Sequence, residues 1–320
     1  MEKRKKKVLR IAALFDGRPG HEKQTSGIIQ ALQKTTSLSV VSLSVTRSSL
    51  LQSIANTCRV FLPGSGIKRD DVKNCDLLIG TGSQTHLSLL LYKKQYHIPA
   101  VTCMLPPTYL RSSFDICFVP IHDGVEQKAN IFVTAGAPNC SIDYCRHKPE
   151  CGLILLGGID EKSHFWLDDT IVSNVRKIIA REPNVHWTIS SSPRTPENTI
   201  QKIKKIDKLY SNCSFYHYKE TDKGWVEEQY NKSTFVWVTS DSISMIYEAL
   251  TAGCKVGLFP MEWKKSGNKF QKNEKMLFDK NMTLSFASWE RDGFYLKQQQ
   301  NINEAQRCAE HILETLWQKN

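Results

Sequence analysis

Short apolar runs alternate with amphipathic stretches along most of this chain. In its first half, apolar runs predict buried strands at 8–14, 38–46, 76–80, 99–104, 114–119 and 130–135. Between them, as at 21–34 and 84–95, apolar residues recur at the spacing of one helical face. A series of strands and helices in this order favours a parallel sheet covered by helices on both faces.

The same alternation starts again after a polar, turn-rich segment at 136–150. Strands are predicted at 151–156, 184–190, 213–218, 233–239, 254–260 and 282–287. Helices are predicted at 166–181, 196–209, 224–231, 242–252, 267–280 and 302–318. The 320 residues are too many for one ordinary core. We therefore predict two doubly wound, Rossmann-like α/β domains, 1–147 and 148–320, and leave open whether the final helix crosses back to the first.

The formal net charge of +11 allows nucleic acid, an anionic membrane surface or an acidic substrate as a partner. Aromatic residues do not interleave with the lysines as RNA recognition requires, so no nucleic-acid partner is predicted. The apolar runs are shorter than the roughly 18 residues of a membrane span. The N-terminal segment lacks a small-residue cleavage site. We expect a cytoplasmic protein, with peripheral contact to the inner membrane face as a second interpretation.

Ligands of doubly wound sheets bind outside the carboxyl ends of the strands. The first such turn, "DGRPGH", places Asp16 and His21 at the start of a helix. A histidine with a pKa near neutrality can act as a general base, and an aspartate can orient it. A plain strand-to-helix turn remains the alternative. The turn lacks G-x-G-x-x-G, so a dinucleotide oxidoreductase is the least favoured class.

Three more strand ends carry candidate residues. "IGTGSQTH" combines two glycines with His86, and "LLGGID" places Gly157 and Gly158 where a phosphate loop is easily built. "VTSDSISMIYEAL" offers Ser240 and Ser242 at a helix start and a carboxylate, Glu248, further along. Amide groups and hydroxyls at a helix N-terminus suit a diphosphate, and a carboxylate suits a ribose diol. The alternative for this last segment is a capped amphipathic helix with its glutamate on the surface.

No metal site is predicted. The cluster Cys140, Cys145, His147 and Cys151 has neither a C-x-x-C pair nor a second matching half. The chain also contains no Asp-x-Asp.

The "S-x-S…E-A…A-G…P" pattern after a strand resembles the nucleotide-sugar motif of GT-B glycosyltransferases, including the peptidoglycan N-acetylglucosaminyltransferase that makes lipid II. This resemblance implies two domains facing an interdomain cleft. It assigns the diphosphate to the hydroxyls of Ser240, Ser242 and Ser244 and the ribose to Glu248. It also implies that Gly157 and Gly158 line the phosphate side, that Tyr218 contacts the base and that His21 lies near the acceptor hydroxyl.

Five ordered blocks are similar to the family of the plant mitochondrial fission protein "elongated mitochondria" and its bacterial relatives. They are "DGRPGHEKQTSGIIQAL", "GTGSQTHLSLL", "LLGGIDEKSHFW", "ISSSPRTP" and "VTSDSISMIYEAL". The resemblance covers most of residues 8–290. In the fourth block Pro193 stands where a basic or polar residue is expected, which leaves Arg194 and Thr195 as that loop's candidate ligands.

Together these features predict a metal-independent glycosyltransferase with a nucleotide-sugar donor, a UDP-sugar favoured, and no separate cofactor. Arg194 would stabilise the departing diphosphate, and His21, oriented by Asp16, would deprotonate the acceptor. The basic balance favours an envelope glycan or a lipid-linked acceptor. Two other classes stay open: a non-catalytic adaptor on a GT-B scaffold, and a nucleotide-sugar epimerase.

Overall fold

The computed structural model describes residues 8–293 and 302–317, which divide into two compact units. The first unit runs to Cys140 and takes up the chain again from Asn303, and the second unit runs from Ser141 to Ile302. The sequence placed the division after residue 147. The basic start of the chain, residues 1–7, on which the prediction about a leader depended, lies outside the described residues.

The first unit contains a six-stranded parallel sheet in the order β2-β1-β3-β4-β5-β6. Its strands are β1 Leu9–Phe15, β2 Leu38–Ser44, β3 Leu77–Gly80, β4 Ala100–Cys103, β5 Ile116–Pro120 and β6 Ile131–Thr134. Its helices are α1 Pro19–Thr35, α2 Leu50–Phe61, α3 Asp70–Lys73, α4 Ser83–Tyr96, α5 Thr108–Arg111 and α12 Glu304–Trp317.

Both faces of this sheet are covered, as alternation along β1 shows. Ile11 and Ala13 pack into a core with α1 and α12, whereas Ala12 and Leu14 pack into a second core with α4. Successive side chains of a strand point to opposite faces, so a strand buried on both sides reads as a continuous apolar run. The last helix, α12, packs against α1 and belongs to the first unit.

The second unit repeats the design with a parallel sheet in the order β10-β9-β7-β11-β12-β14. Its strands are β7 Lys148–Leu155, β9 His186–Ser190, β10 Cys213–Tyr216, β11 Ser233–Thr239, β12 Lys255–Phe259 and β14 Thr283–Ser285, with a small antiparallel pair of β8 His164–Phe165 and β13 Glu262–Trp263. Its helices are α6 Asp168–Arg181, α7 Glu197–Leu209, α8 Trp225–Lys232, α9 Ile243–Thr251, α10 Lys269–Asp279 and α11 Phe286–Asp292.

One predicted strand is shorter than expected. The apolar run at 282–287 forms strand only over Thr283–Ser285, because the Ser285 hydroxyl accepts a hydrogen bond from Ser288 N at 3.1 Å and begins α11.

Each sheet has one point where the strand order reverses. It lies between β1 and β3 in the first sheet and between β7 and β11 in the second. Ligands of open α/β sheets bind at such points, outside the carboxyl ends of the strands. Asp16 and His21 follow β1, Gly157 and Gly158 follow β7, and the predicted serines follow β11, so most of the sequence-predicted residues lie at these two points. Among the described helices, none is both long and apolar enough to cross a membrane.

Candidate functional site

At the switch point of the second unit, the glycine loop after β7 lies directly against the segment after β11. Gly157 N donates to Thr239 Oγ1 at 2.7 Å, and Gly158 N donates to Asp241 Oδ2 at 3.2 Å. A Cβ atom added at Gly157 would lie 2.4 Å from both carboxylate oxygens of Asp241. Glycine is therefore required here for close backbone approach, not for a special backbone angle.

Arg194, which follows β9, is fixed at the same point. Its Nη2 donates to Asp241 Oδ2 at 2.8 Å and its Nη1 donates to Gly158 O at 3.1 Å. The side chain of Asp241 is 1% exposed, whereas that of Arg194 is 42% exposed. A guanidinium has five N–H donors, so these bonds hold it in place and leave others for an anion.

Asp241 is the residue of this site that sequence reasoning missed. Its Oδ1 is buried and has no hydrogen-bond partner among the described residues. The available signal was its place between Ser240 and Ser242 directly after a buried strand. An aspartate there reads as a helix cap, and only the structure shows that it holds Arg194 and the glycine loop.

Thr195 lies under the glycine loop. Its Oγ1 is 2.5 Å from Gly157 O and accepts a hydrogen bond from Ser192 N at 2.8 Å. The residue is 7% exposed. The hydroxyl therefore supports the loop, and its predicted contact with a ligand stays a prediction.

The three predicted serines occupy different environments around the start of α9. Ser242 is the N-cap residue, and its side chain makes no capping bond to the helix. Ser244 is exposed in the first turn. The hydroxyl of Ser240 lies 2.7 Å from Glu274 Oε1 and 2.9 Å from Phe259 O, so it is engaged with α10 and β12. Glu274 is not among the site residues predicted from the sequence, and burial raises the pKa of its carboxyl group. Ser242 and Ser244 thus accompany the unpaired amide groups of a helix start.

Glu248 is buried within α9, with 6% of the residue exposed. The alternative that placed it on the helix surface is therefore wrong. Glu248 lies near Tyr230 of α8. The pKa of the Tyr230 phenol is raised, mainly by burial and secondarily by the negative charge of Glu248. The predicted contact between Glu248 and a ribose stays a prediction.

Tyr218 follows β10 at the same carboxyl edge of the sheet. Its backbone N donates to Ser191 Oγ at 3.1 Å, which ties the turn to the end of β9. Its ring lies 4.6 Å from the ring of His217, centroid to centroid. The predicted donor-side residues are thus distributed along the ends of neighbouring strands β10, β9, β7 and β11.

At the switch point of the first unit, His21 and Asp16 form a close pair. His21 Nδ1 lies 2.8 Å from Asp16 Oδ2, and their side chains are 15% and 0% exposed. Asp16 Oδ1 also accepts from Arg18 N at 3.2 Å. With its Nδ1–H donated to the carboxylate, the imidazole presents Nε2 as its basic nitrogen. The arrangement suits a general base held in one orientation.

The loop after β3 packs onto this pair. Gly82 has a φ of +98°, and an added Cβ would lie 2.3 Å from His21 Nδ1 and 2.8 Å from Asp16 Oδ2. Beside it, Thr81 Oγ1 and Thr25 Oγ1 are 2.8 Å apart in the interior. The glycine therefore permits both the turn and the approach of the pair to the loop.

We expect Gly82→Ala to separate His21 from Asp16 and to lower the free energy of unfolding by about 3 kcal/mol, since it adds steric overlap to a positive-φ penalty of about 1–2 kcal/mol. Urea denaturation measures the change. Gly64→Ala is the matched control, because Gly64 has a φ of +70° and nothing within 4 Å of an added Cβ. Equal destabilisation by both substitutions would contradict the proposed packing.

His86, in the first turn of α4, is close to the pair and is buried rather than exposed to solvent. It is 1% exposed, and neither ring nitrogen has a hydrogen-bond partner among the described residues. Its ring contacts that of Phe114 edge to face at 5.5 Å. Burial, and secondarily the nearby His21, lower the pKa of His86 from 6.5 to about 4.

This shift predicts a pH-dependent stability. His86 stays neutral in the folded chain, while the unfolded chain binds a proton below pH 6.5, so the stabilisation is present above pH 6.5 and is lost as the pH falls towards 4. The contribution is about 3 kcal/mol. In urea titrations across this range, His86→Leu should lose less stability with acidification than the parent. Parallel curves for the two proteins would contradict the assignment.

Two Rossmann-like units, each with a parallel sheet and polar residues at its switch point, define a GT-B-like α/β fold, and solved structures share this fold. The chain is similar to a putative UDP-N-acetylglucosamine 2-epimerase from Listeria monocytogenes, with 14% identity, a TM-score of 0.57 and 98% of each chain covered. It is also similar to the UDP-GlcNAc 2-epimerase from Neisseria meningitidis bound to UDP-GlcNAc, with 13% identity, a TM-score of 0.52, and 97% of this chain and 100% of that chain covered.

A third similar structure is the spinosyn forosaminyltransferase SpnP, with 10% identity, a TM-score of 0.51 and 95% of each chain covered. At such identities the likeness shows the fold alone. The predicted GT-B-like α/β fold is confirmed.

The model of the mitochondrial fission ELM1 family matches residues 19–316, so the chain belongs to that family. The resemblance carried by the five sequence blocks is thereby confirmed. No curated protein matches the chain at a significant level.

Proposed function

We propose that this protein is a metal-independent GT-B glycosyltransferase that moves a sugar from a nucleotide-sugar, a UDP-sugar favoured, to an envelope glycan or a lipid-linked acceptor. The observation that carries the proposal is the fixed guanidinium of Arg194, held by Asp241 and Gly158 at the second switch point. A preorganised cation beside a helix start is what a departing nucleoside diphosphate requires.

The donor diphosphate would be bound chiefly by side chains. The N–H groups of Gly157 and Gly158 already donate to Thr239 and Asp241. Contacts to the phosphates would therefore come from Arg194, from the hydroxyls of Ser242 and Ser244 and from the first amides of α9, while the glycines allow close approach. Glu248 would take the ribose and Tyr218 the base.

The acceptor would react at the first unit. His21 Nε2 would take the proton of the acceptor hydroxyl, and Asp16 would stabilise the imidazolium that forms. The hydroxyl oxygen would then bond to the anomeric carbon as the bond from that carbon to the diphosphate breaks. The negative charge would pass to the leaving nucleoside diphosphate, where Arg194 would stabilise it.

Two other functions have specific support. Two of the similar structures are a UDP-GlcNAc 2-epimerase and a putative one, and such an enzyme would use the same donor site without an acceptor. Membership of a mitochondrial fission family supports a non-catalytic adaptor, which would tolerate the loss of both His21 and Glu248.

One experiment separates the three functions. The purified chain would be tested by thermal shift against UDP, GDP, CMP, dTDP and their sugars, and any donor that binds would be followed by NMR without acceptor. The proposal predicts saturable binding of one nucleotide-sugar and no interconversion. Interconversion without acceptor would establish the epimerase, and no binding by any nucleotide would overturn the enzyme in favour of the adaptor.

A further inference from the structure

Helix α2, Leu50–Phe61, turns its apolar side outward. Its residues include none that is buried. Five of the fifteen large apolar side chains exposed on the described residues fall within residues 50–62, namely Leu50 at 78%, Leu51 at 80%, Ile54 at 55%, Phe61 at 57% and Leu62 at 57%. A surface helix normally does the opposite and buries its apolar stripe.

These five side chains form one continuous surface, which we call the α2 face. At the helical rotation of 100° per residue, the four of them on α2 and the exposed Ala55 and Cys58 fall within an arc of about 140°, and Leu62 follows directly as the C-cap residue. Large contiguous apolar patches on a soluble domain mark interaction sites.

The inner side of α2 is mostly polar. Ser53 and Asn56 line a cavity of about 310 Å³ together with Ser83 and Gln84 from the start of α4, and Leu50 at the start of α2 also lines it. Val60 is the helix residue that packs on the core beneath. The side of α2 that faces the first unit is thus mainly polar, and the packing of the unit leaves the apolar side of the helix exposed.

The charge around the α2 face favours an anionic occupant. Residues 45–71 contain four basic residues, Arg47, Arg59, Lys68 and Arg69, and two acidic residues, Asp70 and Asp71, for a formal charge of +2. Arg47 and Lys68 are exposed, while Arg69 pairs with Asp71 at 3.5 Å. A second copy docked on this face would bring like charges together. An amphipathic helix with a basic border is suited to the headgroup region of an anionic bilayer.

We propose that the α2 face docks the first unit onto an anionic lipid surface. At 12 residues the helix is too short to span a bilayer and would lie in the plane of the headgroups. This docking goes beyond the proposed sugar transfer and does not depend on it, because binding to a vesicle needs no nucleotide-sugar.

The test is sedimentation of the full chain with vesicles of phosphatidylcholine alone and of equal parts phosphatidylcholine and phosphatidylglycerol. The parent should bind the anionic vesicles, and less so at high salt. Leu51→Ser combined with Ile54→Ser should weaken that binding about tenfold or more, because two apolar side chains no longer enter the bilayer. Both residues are exposed, so the fold is expected to survive, and circular dichroism checks it.

Leu209→Ser is the matched control, since Leu209 is 77% exposed in the second unit, and it should bind vesicles like the parent. The proposal is overturned if the parent does not bind anionic vesicles, or if the double variant binds them as well as the parent does. It is also overturned if light scattering shows a dimer that the double substitution dissociates while vesicles stay unbound, because a second copy would then cover the α2 face. None of these results would alter nucleotide binding in the thermal-shift panel.

Discussion

Replacing His21 with alanine should lower the rate of sugar transfer by about 10²–10⁴ while leaving donor affinity nearly unchanged. The side chain of His21 is oriented by Asp16 at 2.8 Å in the first unit, whereas the proposed donor contacts all belong to the second unit. Losing the base removes proton transfer in the transition state without removing a donor contact. Release of nucleoside diphosphate in the presence of acceptor measures the rate, and calorimetry measures donor affinity.

Asp16→Asn refines this prediction. It keeps the shape of the side chain but removes the charge that stabilises an imidazolium, so we expect an intermediate loss of rate. His186→Ala is the control, because this exposed histidine bonds Ser214 on β10 and lies outside the proposed machinery. A His21→Ala variant that turns over like the parent would exclude His21 as the base.

Arg194→Ala should lower the transfer rate by about two powers of ten, equivalent to about 3 kcal/mol of lost stabilisation of the leaving group. It should also destabilise the fold by about 2 kcal/mol, because the nearly inaccessible carboxylate of Asp241 loses its cation. The partly exposed position of the guanidinium keeps this second cost moderate. Adding Asp241→Ala removes the unpaired charge, so the double variant should regain stability and still fail in transfer.

The chain offers a matched ion pair as the control. Arg307 and Glu304 are 2.7 Å apart with side chains 49% and 4% exposed, compared with 2.8 Å, 42% and 1% for Arg194 and Asp241. Arg307→Ala should therefore destabilise the fold to a similar extent and leave transfer intact per folded molecule. If Arg307→Ala and Arg194→Ala reduced transfer equally, the role of Arg194 would be structural only.

The alternation of apolar runs and amphipathic stretches predicted most of the fold. Strands buried on both faces, such as β1 and β11, are continuous apolar runs, and their order along the chain indicates a parallel doubly wound sheet. The strand-end turns could be located for the same reason, since parallel strands bring their carboxyl ends to one edge.

Side-chain environments could not be predicted from the same pattern. Asp241 reads as a cap because its partners, Arg194 and Gly158, are 47 and 83 residues away in sequence. Burial of His86 and Glu248 depends on which helix face the fold covers, which periodicity alone does not fix. Likewise, the apolar spacing of α2 is that of an ordinary core-facing helix, and only tertiary packing shows that this side faces outward.

The central claim is that the second unit binds a nucleotide-sugar through α9. Its most direct test is calorimetric titration of UDP and UDP-N-acetylglucosamine into the parent and into Glu248→Gln, with Glu304→Gln as the control, since Glu304 is a buried glutamate of the first unit. We predict saturable binding to the parent and the control, weakened about tenfold or more in Glu248→Gln by loss of a charged hydrogen-bond acceptor. Absence of binding to the parent, or equal binding by Glu248→Gln, would contradict this account.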